Sequence, residues 1–288
     1  MEKIRPLQDS DREDILEIAK HIWDGHDYIP YFFDTWLKDE NSHTAAIERD
    51  GHVVALANLR VIENGRTGWM EGLRVHPDYR GQGLASILTK HVVEIAREIP
   101  VERIRYITGV DNETSLHLGG TVGMKRIFDL AVHWQDGMDG VSWSFSGGRI
   151  KETSVTELYP HLLEAELLPH NVIIYDWKAL DISLEALEKV AGLARFWTQS
   201  KDGMIQSVSL GFIREDSAGP QWSFTIYARD DQTFLEQLSH HMKMVSENEC
   251  KTIFMTYQMD FVDTLHTVDW VRPIEDEEMA LTLLERVL

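Results

Sequence analysis

The stretch LRVHPDYRGQGLASILTKHVVEIARE, residues 73–98, passes from an apolar extended run directly into a run with helical periodicity. The change falls at RGQGLA, Arg80–Ala85, which we call the Gly-rich turn. At such a junction, free backbone N–H groups and the positive end of the helix dipole point at one spot. Gly81 and Gly83 let an anion approach the backbone, and Arg80 adds charge-assisted hydrogen bonds. A plain tight turn explains glycine at a helix start equally well, so the residues around the turn must show whether it binds an anion.

The length of 288 residues exceeds the usual size of one compact domain and predicts two domains of about 140 residues each. A segment rich in Gly, Ser and Asp, QDGMDGVSWSFSGG, interrupts the periodicity near the middle of the chain. We therefore place one domain at 1–136, a linker at 137–150 and a second domain at 151–288. The proportion of hydrophobic residues, 43%, is typical of a folded globular protein.

Acidic residues dominate the charge, since 48 Asp and Glu stand against 28 Lys and Arg for a formal net charge of -20. Non-specific nucleic-acid binding depends on cations, so nucleic acid is not expected as a partner. An acidic surface attracts amines and basic peptides, although it also serves solubility alone. The single Cys250 predicts no internal disulfide, and no apolar run is long enough for a membrane span. With a charged N-terminus, these features predict a cytoplasmic protein without a membrane partner.

Periodicity places the chain in the α/β (α+β) class, with the order β-α-α-β-β-β-α-β-α-β in the first domain. Three strand-like runs, HTAAIERD, HVVALANLRVIEN and TGWMEGLRVHP, form a meander that leads into a helix from Gly83 to about Glu98. In the second domain a meander, a helix, a strand, a short helix and a closing element follow in a similar order. This predicts a tandem fold whose repeat is architectural more than residue by residue.

Two motifs in the first domain together resemble those of the GNAT superfamily of acetyl-CoA-dependent N-acyltransferases. The first is Arg/Gln-x-x-Gly-x-Gly/Ala behind a strand ending L-x-V-x-P, and it is matched by Leu73, Val75, Pro77, Arg80, Gly83 and Ala85. The second is an Asn followed at fixed distances by small, Leu, Gly and apolar residues, and it is matched by Asn112, Ser115, Leu118, Gly123 and Met124. The motifs have the separation that the family shows, so the resemblance covers about residues 1 to 135.

The resemblance implies the GNAT fold, a mixed central sheet flanked by helices, with acetyl-CoA as co-substrate. In that family the fourth strand and the following strand separate, and the pantetheine arm lies in the gap. The resemblance therefore assigns the pantetheine and acetyl group to the backbone of Leu73, Arg74 and Val75, and the far side of the pantetheine to Asn112. It assigns the pyrophosphate to the whole Gly-rich turn: Arg80, Gly81, Gln82, Gly83, Leu84 and Ala85.

Acetyl transfer to an amine needs a base near the nucleophile. Glu71 matches the position where many family members carry a catalytic carboxylate, and alternation along a strand predicts that it shares a face with Leu73. A surface-facing or salt-bridged glutamate is the alternative. The family's frequent general acid, a Tyr seven residues after the Asn, is replaced by Gly119. Either the thiolate departs without an enzymic acid, or oxyanion donors suffice, or a group such as His117 or Tyr106 serves.

Aromatic and acidic side chains alternate in HIWDGHDYIPYFFDTWLKDE, the aromatic segment 21–40, where the family places its acceptor-binding helices. This mixture suits a cationic amine, although packing is the alternative for any one aromatic. We assign acceptor contacts to Asp27, Tyr28, Tyr31 and Trp36. The runs GHDYIPYFFDTWL and LLPHNVIIYDWKAL resemble the histidine N-acetyltransferase group of the superfamily, which favours a free amino acid such as histidine over a protein tail.

The second domain has no counterpart of the Gly-rich turn. Its equivalent segment is YARDDQTFLEQL, where Asp230 and Asp231 would repel a pyrophosphate, so we expect a degenerate GNAT-like domain without acetyl-CoA. We expect this domain to cover the acceptor side, with Tyr175, Asp176 and Trp177 as contacts, or to supply the interface of a homodimer. A plain core strand entering a turn explains those three residues equally well.

No metal site is predicted, because the neighbours His240 and His241 face about 100° apart on a helix. The sequence therefore favours an N-acetyltransferase that acts on the primary amine of a small molecule. Two alternatives stay open. One is a non-catalytic sensor or scaffold that binds acetyl-CoA, and the other is an N-acetyltransferase for proteins or peptides.

Overall fold

The computed structural model describes residues 3–25, 27–138, 150–175, 177–216, 219–271 and 279–288. These residues form two compact units. The first unit comprises the chain up to Thr108, Asn112–Arg126 and Leu284–Leu288, and the second comprises Gly109–Asp111 and Ile127–Leu283. Most of the predicted linker 137–150 lies outside the described residues. The sequence boundaries at 136 and 150 stay a prediction.

Strands and helices follow one another in the predicted order from residue 3 to residue 136. They are β1 Lys3–Pro6, α1 Arg12–Ala19, α2 Ile29–Lys38, β2 Ser42–Arg49, β3 His52–Ile62, β4 Thr67–Val75, α3 Leu84–Glu98, β5 Arg103–Gly109, α4 Glu113–Thr121 and β6 Lys125–Asp136. The sheet of the first unit has the order β1-β2-β3-β4-β5. Neighbours from β1 to β4 are antiparallel, whereas β4 and β5 are parallel, so the sheet is mixed. The last strand of the chain, β14 (Ala280–Val287), contributes its residues from Leu284 onward to this unit.

Helices cover both faces of this sheet, because each of them has one apolar face. On one face, α3 packs against alternate residues of β2 and β3, and its buried side chains are Leu84, Leu88, Val92, Val93 and Ala96. On the other face, α1 and α2 pack against the residues in between, and their buried apolar side chains are Ile15, Ile18, Ala19, Ile29, Phe33 and Trp36. One face of β4 therefore points toward α3, which we call the α3 side, and the other points toward α2, the α2 side.

The second unit has more elements than the sequence pattern predicted. Its elements are β7 Lys151–Glu152, α5 Val155–Ala165, β8 Val172–Tyr175, β9 Lys178–Asp181, α6 Leu184–Ala191, β10 Arg195–Lys201, β11 Met204–Asp216, β12 Gly219–Ala228, α7 Asp231–Glu247, β13 Thr252–Gln258 and α8 Val262–His266. The strand order is β6-β13-β12-β11-β10-β7, and β8 and β9 form a separate hairpin. The predicted meander, helix, strand and short helix correspond to β11, β12, α7, β13 and α8. None of the helices within the described ranges combines the length and the apolar character that a membrane crossing needs.

Candidate active site

The Gly-rich turn joins β4 to α3 and leaves the first turn of the helix open. Gly81 and Gly83 have φ of 73° and 80°, a left-handed conformation that glycine adopts without strain. Gly83 is the N-cap of α3, and no side chain caps the helix. A Cβ at either glycine would meet no atom within 4 Å, so both backbones border open space. The N–H groups of the first helical turn are therefore available to an anion.

Cationic and amide side chains surround this turn. Arg80 is exposed, and its Nε donates to the carbonyl of Val75 at 3.3 Å. Arg49, at the end of β2, donates to Oε1 of Gln82 at 2.5 Å and lies 5.7 Å from the ring centre of Tyr79. Sequence reasoning missed Arg49, because only the fold brings β2 to the turn. Two guanidinium groups beside an uncapped helix N-terminus fit a pyrophosphate, even in a chain of net charge -20.

The corresponding helix of the second unit is closed to anions. Asp230 is the N-cap of α7, and its carboxylate accepts from the backbone N–H of Thr233 at 2.8 Å. An acidic side chain thus takes the place that an anion would take at α3. This is the local arrangement expected of a degenerate domain without acetyl-CoA.

A β-bulge at Gly72 sets the direction of every later side chain in β4. Leu56 pairs with Arg74 and Asn58 pairs with Glu71, so β4 has one residue more than β3 in this interval. Gly72 has φ of 69° and lies against the indole of Trp36. An unbroken strand would put Glu71 and Leu73 on one face.

That prediction was wrong, because the extra residue puts Glu71 on the α2 side with Arg74. Leu73 instead packs into the core beneath α3.

The strands β4 and β5 pair over only three residues each. Thr67, Gly68 and Trp69 lie opposite Arg103, Ile104 and Arg105, and the ladder goes no further. From Met70 to Val75, the edge of β4 that faces β5 has no strand partner among the described residues. Along this edge the backbone of Leu73–Val75 has no strand partner and borders a gap that leads to the Gly-rich turn, and the carbonyls of Leu73 and Val75 accept instead from the guanidinium groups of Arg74 and Arg80.

Glu71 is held by two hydrogen bonds to one of its oxygens. The indole Nε1 of Trp36 and the amide Nδ2 of Asn58 each donate to Oε1 at 3.0 Å. Asn58 is fully buried, and its own carbonyl accepts from Oγ1 of Thr44 at 2.9 Å. Within the described residues, Oε2 has no hydrogen-bond partner. The carboxylate is thus fixed in orientation while one oxygen stays able to accept a proton.

The aromatic segment holds β4 in place through a buried ion pair. Arg74 donates to both oxygens of Asp27, at 2.9 and 3.0 Å, and the Asp27 side chain is completely buried. The guanidinium also lies 4.8 Å from the ring of Trp23 and 5.2 Å from that of Tyr28. The Tyr28 hydroxyl accepts from the N–H of Gly72 at 3.1 Å, and burial raises its pKa. The charge of Asp27 is therefore matched by a cation of the chain itself.

The four predicted acceptor residues have different environments. Asp27 and Trp36 are buried and bonded to Arg74 and Glu71, and Tyr28 is bonded to the bulge. Tyr31 is 81% exposed. Only Tyr31 of the four has its side chain largely in solvent, while the other three support β4.

Comparison with known families identifies the domain that carries this site. The family model "Acetyltransferase (GNAT) family" matches residues 8–121, which include β4, the Gly-rich turn, α3 and most of α4. This segment belongs to the GNAT family. Members of this family generally use acetyl-CoA as co-substrate. The open helix N-terminus, the two glycines and the separated strands fit that molecule.

Relatives and solved structures extend the comparison beyond the GNAT domain. A histidine N-acetyltransferase from Oreochromis niloticus is 29% identical over 193 residues, which are 59% of this chain and 56% of that protein. The chain therefore spans about half the length of this relative. A GCN5-related N-acetyltransferase from Sphaerobacter thermophilus matches 99% of this chain and 95% of its own, with a TM-score of 0.62 and 13% identity.

A tandem GNAT protein from the clavulanic acid biosynthesis pathway matches 100% of this chain and 98% of its own, with a TM-score of 0.61 and 13% identity. The predicted fold, a GNAT fold followed by a second GNAT-like half, is confirmed by these structures.

The second GNAT motif lies at the start of α4. Asn112 is the N-cap of this helix and accepts from the N–H of Ser115 at 3.0 Å. Further along, Gly119 occupies the position of the family tyrosine, and a Cβ there would overlap the hydroxyl of Tyr106. Tyr106 donates to the carbonyl of Ser115 at 2.7 Å, and burial raises the pKa of its hydroxyl. The hydroxyl of Tyr106, on β5, thus lies directly beside Gly119, whereas His117 is exposed.

Proposed function

We propose that this chain is an N-acetyltransferase that moves the acetyl group of acetyl-CoA to the primary amine of a small molecule, an amino acid such as histidine. The observation that carries the proposal is the fixed carboxylate of Glu71, beside the gap between β4 and β5 and on the strand that leads to the Gly-rich turn. The similarity to a protein named histidine N-acetyltransferase supports the choice of acceptor.

In the proposed reaction, acetyl-CoA supplies the thioester carbonyl that the amine attacks. The N–H groups at the start of α3 and Arg80 hold the pyrophosphate, and the backbone of Leu73–Val75, which lacks a partner strand on the β5 side, holds the pantetheine. Glu71 takes the amine proton on Oε2 while Trp36 and Asn58 hold Oε1. Removing this proton creates the neutral amine, because only the free lone pair can attack.

Tyr106 is our candidate for the general acid. Its hydroxyl lies where the side chain of residue 119 would begin, and its raised pKa keeps it protonated at neutral pH. Tyr106→Phe should lower kcat about a hundredfold without changing the affinity for acetyl-CoA. Steady-state rates with acetyl-CoA titrations check this. Tyr159→Phe in α5 is the matched control and should leave kcat unchanged. Unchanged turnover in Tyr106→Phe, or an equal loss in His117→Ala, would remove Tyr106 from this role.

Thiol release from acetyl-CoA should test the proposed function directly. The acceptor panel includes histidine, other amino acids, polyamines, aminoglycosides and basic peptides. We expect release with one small amino acid, and thermal stabilisation of the protein by acetyl-CoA alone. Stabilisation without release from any acceptor would favour an acetyl-CoA sensor, and release with peptides alone would favour a protein N-acetyltransferase.

Arg80→Ala should weaken acetyl-CoA binding at least about tenfold, because a charged hydrogen bond contributes roughly 1.5 to 3 kcal/mol. Titration calorimetry with acetyl-CoA measures this affinity. Arg97→Ala is the matched control, since Arg97 is an exposed arginine at the opposite end of the same helix. Equal affinities of Arg80→Ala and the wild type, or no binding by either, would contradict the assignment of the Gly-rich turn.

A further inference from the structure

Two histidines and a glutamate of the GNAT domain meet at the end of α1. Glu17 lies in the last turns of α1, His21 follows it by four residues, and His76 comes directly after β4. One ligand atom from each residue lies within 4.8 Å of the other two. The imidazoles of His21 and His76 are edge to face, with ring centres 5.7 Å apart. From these contacts we infer that Glu17, His21 and His76 form a binding site for a divalent transition metal, Zn²⁺ in the first place.

The donor set and its spacing suit this ion. Zinc is bound by imidazole nitrogen and carboxylate oxygen at about 2.0–2.2 Å, so neighbouring ligands of a tetrahedral site lie about 3.4 Å apart. His21 Nε2 and Glu17 Oε1 are already 3.5 Å apart. The ligand atom of His76 lies within 4.8 Å of the other two, so its approach needs to shorten by at most about 1.4 Å. Three protein ligands leave a fourth position for water.

The ring of His76 is oriented by the residues that follow it. Its Nδ1 accepts from the N–H of Asp78 at 3.3 Å and lies 4.0 Å from the Asp78 carboxylate. Its edge contacts the ring of Tyr79. Because Nδ1 faces Asp78, Nε2 is the nitrogen left for an ion. Ligation through Nε2 would put the ring proton on Nδ1, which would exchange the hydrogen bond from the Asp78 N–H for one to the Asp78 carboxylate, now 4.0 Å away and a usual kind of partner for a metal-bound histidine.

Lys20 is the group that opposes metal binding. Its ammonium donates to Oε2 of Glu17 at 2.5 Å, which leaves Oε1 toward His21. A glutamate carboxyl at an exposed position is ionised at neutral pH, as a ligand must be. The positive charge of Lys20 repels a dication, so an ion at the site has to displace Lys20 or tolerate it.

Occupancy would join two parts of the GNAT domain that are far apart in sequence. His76 lies between Val75, at the end of the separated strand, and the turn Pro77–Tyr79 that precedes Arg80. An ion would tie this connection to the end of α1. Metal binding uses none of the residues assigned to acetyl transfer, so failure of either proposal leaves the other intact.

Titration of Zn²⁺ into the full chain, after removal of metal with a chelator, tests the site. We expect one saturable site per chain by calorimetry and a rise in Tm with Zn²⁺. Co²⁺ should give the visible absorption of four-coordinate nitrogen and oxygen ligation. Absence of a saturable site, or a Co²⁺ spectrum identical to that of the hexaaqua ion, would overturn the proposal.

Single substitutions locate the site on the chain. His21→Ala and Glu17→Gln, both at exposed positions, should each weaken Zn²⁺ binding at least tenfold, and Asp78→Asn should weaken it about 10- to 100-fold. Lys20→Gln should tighten it. His91→Ala is the matched control, because His91 pairs with Glu94 at 3.8 Å outside the site and should leave affinity unchanged. Wild-type affinity in His21→Ala would place any bound zinc elsewhere and overturn the assignment.

Discussion

Glu71→Gln should lower turnover by about 100- to 10,000-fold while acetyl-CoA binding stays unchanged. Glutamine keeps an oxygen that can accept from Trp36 and Asn58, so the side chain retains its position. It replaces Oε2 by an amide nitrogen, which cannot take a proton from the amine. The substitution therefore removes the proton acceptor and little else. Single-turnover rates and acetyl-CoA titration by calorimetry measure the two properties separately.

Glu40→Gln provides the control for this experiment. Glu40 is an exposed glutamate in the connection between α2 and β2, and the same chemical change there should leave turnover at the wild-type value. A Glu71→Gln variant with wild-type kcat would exclude Glu71 as the base.

Gly72→Ala should lower the free energy of unfolding by about 2 to 5 kcal/mol. The left-handed φ of 69° disfavours a side chain, and the new Cβ would overlap the indole of Trp36. Any shift of that indole also breaks its hydrogen bond to Glu71, so turnover should fall together with stability. Urea unfolding of the full chain measures the loss of stability, and the rate of thiol release measures the loss of turnover.

Gly65→Ala separates the cost of a left-handed backbone from the cost of the overlap with Trp36. Gly65 has φ of 88° in the turn before β4, but its Cβ would meet no atom within 4 Å. This variant should lose only about 1 to 2 kcal/mol, the contribution of the backbone conformation, and keep full turnover. If Gly72→Ala cost no more than Gly65→Ala, the indole of Trp36 would not be packed against the bulge.

Sequence patterns predicted the first unit better than the second for a physical reason. The helix α3 has 15 residues with one apolar face, and its periodicity is unambiguous. The elements that went unpredicted in the second unit are α5, α6 and β10 and three shorter ones: β8 and β9 have four residues each, and β7 has two. Runs of this length carry too little periodicity to distinguish a strand from a loop or a buried helical turn.

Within the candidate site, sequence predicted what depends on local backbone and missed what depends on contacts across the sheet. The Gly-rich turn needs only neighbouring residues. Asn58 reaches Glu71 from β3 and is itself bonded by Thr44 of β2, and the one signal of each in the sequence is a polar residue inside an apolar strand. The bulge was missed because a single glycine in a strand has several explanations. That one residue reversed the predicted relation between Glu71 and Leu73.

Residues 284–288 also decide when the first unit can fold. Leu284 belongs to its core, and Glu285 forms an ion pair with the buried Arg105 at 2.6 Å. A ribosome adds about 5 to 20 residues per second, so these side chains emerge roughly 8 to 30 s after Arg126. During that interval the nascent GNAT domain has an incomplete core, exposed to chaperones and proteases. We therefore expect catalytic competence to be acquired only after residues 284–288 have emerged, when they complete the core of the first unit.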